Sequence, residues 1–354
     1  PLLRALGAKD SQLREAWGND LYKQNLAQDK PAALQKLYSR LVGPRGTAEF
    51  EDDMRKELAE FVSKMEFDPE VNQATIGKPY RNLNLDSVLD VTKKLLAVSR
   101  GEAETDDRDH LSYQTIHGPE DLLSERFLKD TDNLRRQLFF KASFNKSLKA
   151  IPAGALTKQV EAALLSSGLG QPNEEVNPGE ILDKVTRITR LGVGGIGSID
   201  SIPDEARNVQ SSHLGYIDPV RTPESLRAGV DVYLAQAAMK GDDGRVYAPF
   251  KSIKTGGLVW RSPQQLSKLV VAFPGEMERR KTRRVGAMRG GKLEFVPREE
   301  VDLVIPNFEN IFSPLAAFVP GKSGMKAQRM SMGSRMTTQA LGLVNAEAPL
   351  VRTG

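Results

Sequence analysis

The chain has no cysteine and only three histidines among its 354 residues. Without thiols, disulfides, thiolate-held metals and a cysteine nucleophile are excluded, and a reducing or intracellular setting fits. His110, His117 and His213 are far apart and give no His-x-x-x-His zinc spacing. Gly195-Ile196-Gly197-Ser198-Ile199 departs from Gly-x-Ser-x-Gly, so the usual nucleophile turn of a serine hydrolase is missing. Long apolar runs are missing too. The longest, such as Leu269-Val270-Val271-Ala272-Phe273, are strand-sized, and no membrane span is expected. Pro1 to Gly7 has neither a signal-peptide layout nor an initiating Met and reads as an internal boundary.

Charge is plentiful and mixed, with 50 Lys and Arg against 46 Asp and Glu, a net charge of +4. The isoelectric point near 9.1 is compatible with a nucleic-acid partner. The length can bury a sizeable core and predicts two or three domains. Residues 1–165 read as mainly helical. Leu85, Val88, Leu89, Val91, Leu95 and Leu96 recur at helical spacing after Asn84 or Asp86 as N-cap. A second helix is predicted from Gly118-Pro119 to Phe139-Phe140, with acids in its first turn where they suit the macrodipole. Residues 166–228 turn to Gly, Pro, Ser and Asn and read as long irregular structure of the kind that carries function.

Residues 229–354 read as β-rich, with short strands around Val230–Leu234, Val246-Tyr247, Leu258–Trp260, Leu269–Phe273, Leu293–Val296 and Val301–Ile305. A turn is predicted at Gly241-Asp242-Asp243-Gly244, and a final helix over Lys326 to Leu341. The expected fold class is α+β and multi-domain, without internal repeats.

Several stretches invite a chemical reading. Ala316 to Ser323 follows the loose phosphate-loop pattern, but its interior is Ala-Phe-Val-Pro, and Pro320 removes an N–H that would wrap a phosphate. Asp106, Asp107, Asp109 and His110 offer oxygen and nitrogen ligands. They lack the calcium-loop glycine and distal glutamate, and Arg108 among them favours local salt bridging. The run Arg279-Arg280-Lys281-Thr282-Arg283-Arg284, continued by Arg289 and Lys292, is either a solvated turn between strands or a contact for a phosphate backbone. Ser211 to Ser225 is too broken by Gly and Pro for a helix. Its two prolines stiffen a loop holding His213, Arg221 and Glu224.

In order along the chain, five segments resemble the β (second-largest) subunit of multisubunit DNA-dependent RNA polymerases. Asp106-Asp107-Arg108-Asp109-His110-Leu111 resembles that family's Asp-Asp-x-Asp-His-Leu. Asn177-Pro178 and Arg187-Ile188-Thr189-Arg190-Leu191-Gly192-Val193-Gly194-Gly195 are similar to its fork-loop segment, and Ser211 to Ser225 to its Ser/Thr-His-x-Gly-x-x-Cys-Pro-Ile-Glu-Thr-Pro-Glu-Gly. Arg329 to Ala340 resembles Arg-x-x-Met-Gly-x-x-Met-x-x-Gln-Ala, and Ala348 to Gly354 the Pro-Leu-Val-Gly-Thr-Gly that follows. Asp218 stands for the family's Cys, Arg221 for its first Glu, Ser225 for its last Gly and Val193 for its Pro, and Ile196 to Ala206 is rewritten. Such divergence is similar to the split β subunits of large-phage polymerases, which implies a host-cytoplasmic or virion location.

The resemblance implies that Arg329 faces the triphosphate of the incoming nucleotide, with Glu224 nearby orienting basic side chains. Arg187, Arg190, Gly192, Gly194, Gly195, Arg207, His213, Arg221 and Gln339 are implied to line nucleic acid. Charge reversal at Arg221 predicts a pairing with an acid or a phosphate. The family's C-terminal β portion and the Asp-rich metal motif of its largest subunit do not occur in this sequence. They are expected on partner subunits, along with the Mg²⁺, so the isolated chain is not expected to be active. DNA template, RNA transcript and NTPs complete the implied partners. The competing readings are a non-catalytic nucleic-acid-binding or scaffold protein with a β-subunit-like fold and, less favoured, a phosphate-loop NTPase.

Overall fold

The computed structural model describes residues 1–26, 30–43, 50–107, 109–147, 149, 151–165, 177–192, 194–279 and 282–340. The chain forms two compact units, Pro1–Arg108 and Asp109–Gly354, and the fold is α+β.

The first unit is helical: α1 (Leu2–Ala5), α2 (Asp10–Trp17), α3 (Asn19–Leu26), α4 (Pro31–Leu41), α5 (Glu51–Ser63), α6 (Pro69–Thr75) and α7 (Leu85–Ser99). Leu34 and Tyr38 of α4 and Leu58 and Val62 of α5 form one core, four residues apart on each helix as the helical repeat requires. Leu13, Tyr22 and Leu89 form a second, where Trp17 Nε1 donates to Thr92 Oγ1 at 3.0 Å. Of the two candidate caps of α7, Asn84 takes the role. Its Oδ1 accepts from Ser87 N at 2.8 Å, while Ser87 Oγ accepts from Asn84 N at 3.0 Å.

The second unit opens with α8 (Pro119–Phe144) and α9 (Thr157–Leu164). Gly118-Pro119 starts α8 as expected, and Asp121 accepts from Gly118 N at 2.8 Å. There follow α10 (Pro178–Thr186), β1 (Arg187–Thr189), α11 (Asp204–Arg207), β2 (Asp231–Tyr233), β3 (Met239–Lys240), β4 (Val246–Ser252), β5 (Leu258–Arg261), α12 (Pro263–Leu266) and β6 (Val270–Ala272). The unit closes with β7 (Arg284–Arg289), β8 (Lys292–Pro297), β9 (Leu303–Val304), α13 (Pro314–Ala317) and α14 (Ala327–Gln339). The region expected to be irregular thus contains α10, begun by an Asn cap and Pro at the first helical position, and β1.

Strands β3-β4-β9-β6-β7-β8 run side by side, with β5 also paired to β4. All pairings are antiparallel except β6 with β9. β6 is buried on both faces. Val271 joins Tyr216, Phe250, Ile305, Phe312 and Met330, whereas Val270 and Ala272 join Val285, Ala287 and Val296 on the other side. β1 and β2 form a separate ribbon in which Ile188 faces Val232.

Candidate functional site

Every residue to which the polymerase resemblance gives a site role lies in the second unit, grouped around α10, the loop 211–225, the β1–β2 ribbon and α14. Asn177 joins two of these. Its Oδ1 accepts from Gly179 N at 2.9 Å to cap α10, and its Nδ2 donates to Thr337 O at 3.0 Å and Ala340 O at 2.6 Å. One side chain therefore ties the start of α10 to the end of α14, satisfying carbonyls that the helix leaves without intrahelical partners.

α10 delivers Asp183 to Arg221. Arg221 Nε and Nη2 reach Asp183 Oδ1 at 2.8 and 2.6 Å, and its guanidinium lies 4.7 Å from the centre of the Tyr233 ring. Arg221 is 2% exposed. Burial pushes the Asp183 carboxyl above the usual carboxylate range, and the Arg221 charge opposes that shift. The reversed charge at position 221 is thus matched by an acid, as expected. Within this chain its side chain is buried against that acid.

Asp218, where the polymerase resemblance has cysteine, is a second fastening. It is 3% exposed and accepts from Val220 N (2.8 Å), Arg221 N (3.0 Å) and Ser313 N (2.6 Å). The first two bonds make an Asx turn before Arg221; the third anchors the loop to the residue preceding α13. Thr222 Oγ1 accepts from Gly229 N at 2.8 Å and donates to Asp231 O at 3.0 Å. Beyond these bonds the loop emerges, and the exposed Glu224 pairs with Arg335 on α14. The Arg335 guanidinium holds the Glu224 carboxyl below the usual range.

α14 turns Met330 and Ser334 inward. Arg329 is exposed in its first turn and has no hydrogen bond or ion pair among the described residues. Lys326 occupies the N-cap position at the same end without a side-chain capping bond, and the first turn contains no acid. Cations there add to the positive end of the helix macrodipole, and no acid of the first turn offsets them. Gln339 is exposed at the opposite end of the helix.

The glycine-rich segment forms a tight reversal. Ile196 N donates to Arg190 O at 2.9 Å and Gly192 N to Ile196 O at 3.2 Å, with Gly192 at φ +105°. A Cβ on Gly195 would sit 2.4 Å from Arg190 O, so that glycine is required by the turn's own backbone. Gly194, at φ +82°, faces the His117 ring.

Four other residues expected to line nucleic acid are packed or bonded within the chain. His213 is 3% exposed, and its Nδ1 accepts from Gln210 N at 3.4 Å. Arg190 is largely buried with Asp109 Oδ1 at 3.8 Å, and burial pulls its guanidinium below the usual arginine range. Arg207 donates to Leu226 O at 2.7 Å and Ile199 O at 3.3 Å. Arg187 is half-buried on β1 beside Asp183 and Tyr233.

The remaining motifs resolve locally. Asp106 pairs with Lys94 at 2.6 Å, and no group of three or more His, Cys, Asp or Glu side chains among the described residues is gathered to hold a metal. Ala316 and Ala317 belong to α13, so the phosphate-loop-like segment begins inside a helix where a strand should lead into it, and Lys322 Nζ donates to Ala317 O at 2.5 Å. In the basic run, Arg279 pairs with Glu276 at 3.1 Å and Arg284 starts β7, donating to Phe295 O at 2.6 Å. Arg280 and Lys281, Val193, Arg108 and the segment 341–354 lie outside the described residues.

The sequence reading did not single out Asp183, Asn177's link to α14, or Arg335. Arg335 sits six residues after Arg329 within a quoted motif, which is the one local signal that pointed to it.

Residues 171–239 match the family model of RNA polymerase Rpb2, domain 3. The chain is 30% identical over 286 residues to the DNA-directed RNA polymerase subunit beta of Anaplasma phagocytophilum strain HZ, covering 77% of this chain and 20% of that protein. It is 27% identical over 288 residues to that of Solidesulfovibrio magneticus, covering 78% and 21%, and 29% identical over 285 residues to that of Ehrlichia ruminantium, covering 77% and 21%. The chain spans about a fifth of the length of the curated relatives it matches. Together the family model and these relatives support reading the chain as a divergent portion of an RNA polymerase β subunit.

Proposed function

We propose that the chain works as the β-like part of a multisubunit DNA-directed RNA polymerase, binding template DNA and the RNA–DNA hybrid and positioning the incoming NTP. The observation that carries the reading is the first turn of α14. Arg329 is exposed there without an acid partner, beside Lys326, at the positive end of a helix. A guanidinium so placed holds phosphate oxygens by two-point contact and stabilises charge developing on the leaving pyrophosphate. Glu224 acts one step back, fixing Arg335 and through it the loop 211–225 against α14.

Phosphoryl transfer of this kind draws on two metal ions, which the family resemblance assigns to another subunit. Other polymerase subunits, including the C-terminal β part and the β′-like parts, are therefore partners in this proposal. The rewriting at Asp218, Arg221 and Ser225 supports a large-phage enzyme. No helix among the described residues is long and apolar enough to cross a membrane. In the reconstituted polymerase, Arg329→Ala should slow nucleotide addition by about a hundredfold or more with assembly unchanged. Unchanged elongation at limiting NTP would overturn the role.

A further inference from the structure

The second half of α8 carries a feature that the polymerase reading does not use. Between Asp132 and Glu161 the chain has six cations and no acid: Arg135, Arg136, Lys141, Lys146, Lys149 and Lys158. The same stretch displays three phenylalanines to solvent, Phe139 at 72%, Phe140 at 69% and Phe144 at 77% exposure. Phe140 and Phe144 already lie ring against ring, centroids 6.0 Å apart and planes 17° from parallel. Arg135, Lys141, Lys146 and Lys149 are exposed and form no ion pair among the described residues.

At about 100° per residue, Arg135, Arg136, Phe139, Phe140 and Phe144 fall on one half of the helix, opposite the buried Leu134. Helix electrostatics account for little of this. A cation in the last turn suits the macrodipole, and Lys141 is there, but Arg135 and Arg136 lie too far back to benefit. Lys146, just past the helix end, adopts φ +50°, a conformation that favours glycine.

We propose that this face of α8 binds a single-stranded polynucleotide, with the phenylalanines as stacking platforms for unpaired bases and the cations tracking the phosphates. Charge complementarity selects the partner, because the cations from Arg135 onward outweigh Asp132, the exposed acid one turn before Arg136 on the same face, and so match a polyanion. The interleaving selects its kind. Arg136 lies between Phe139 and Phe140 around the helix, whereas a helix that lies in a lipid surface separates its apolar and cationic faces. Exposed aromatic rings set among cations are the arrangement that holds unpaired bases and their backbone together.

The test is fluorescence anisotropy of a labelled oligo-dT binding to the full chain, against a duplex of the same length. It needs no polymerase activity, so its failure leaves the proposed function standing. The single strand should bind more tightly than the duplex. Phe139→Ala/Phe140→Ala/Phe144→Ala should weaken it by at least about tenfold. Arg135→Gln/Arg136→Gln, on exposed residues and so without consequence for folding, should weaken it and flatten its salt dependence. Equal affinity for duplex and single strand, binding indifferent to both variants, or no oligonucleotide binding alongside self-association or protein capture through the phenylalanines would each overturn the proposal. An unchanged melting temperature shows that the triple variant is folded.

Discussion

The loop 211–225 and the first turn of α14 use their charges in opposite ways. In the loop, Asp218 and Arg221 are 3% and 2% exposed and are consumed by internal partners. On α14, Arg329 stands in solvent and forms no ion pair among the described residues. Buried charge needs a matched partner to exist at all, whereas an exposed, unneutralised cation at a helix N-terminus is free to take a ligand. Side by side, the two arginines separate holding the loop together, at Arg221, from the phosphate contact proposed for Arg329.

The largest expected effect comes from the acting side. Arg329→Ala should cut the rate of nucleotide addition about a hundredfold or more while leaving the melting temperature of the chain unchanged. Arg329→Lys should recover only part of the rate, because a point charge orients phosphate oxygens less well than a guanidinium. Equal loss of rate and of stability would blur the distinction.

On the holding side, Arg221→Met leaves Asp183 buried without its cation and should cost about 3–5 kcal/mol in chemical denaturation. Adding Asp183→Leu should restore much of that loss, since an apolar pair of similar volume replaces the ion pair at little net cost. A single variant as stable as the parent would show that the pair carries nothing. Asp218→Ala removes the acceptor for three backbone N–H groups and should cost about 2–3 kcal/mol, read in the same way. The smallest effect is expected of Glu224→Gln. Its carboxylate is exposed, so the melting temperature should not move, and nucleotide addition should change by less than about tenfold.

What the sequence disclosed follows the same division. The starts of α7 and α8 could be read because Asn84 and Gly118-Pro119 are signals confined to a few neighbouring residues. The strands around Val246, Leu258 and Leu293 could be read from alternation and turn residues. β7 was hidden because its cationic ends, Arg284 and Arg289, mask the inward Val285 and Ala287. The fates of Arg221 and Arg190 were hidden for a different reason. Their partners, Asp183 and Asp109, come from remote positions, Asp183 lying 38 residues before Arg221, and no local pattern announces such a pairing. Arg329 could be located by motif, whereas its lack of a partner is a property only the fold reveals.

The central claim, that the chain is one part of a polymerase, is tested most directly by mass spectrometry of what co-purifies with the tagged polypeptide from its native source. The account predicts companion polypeptides that include one bearing an Asp-rich metal loop, and template-directed RNA synthesis by the purified assembly. A chain recovered alone, or with companions that lack such a loop and make no RNA, would contradict it.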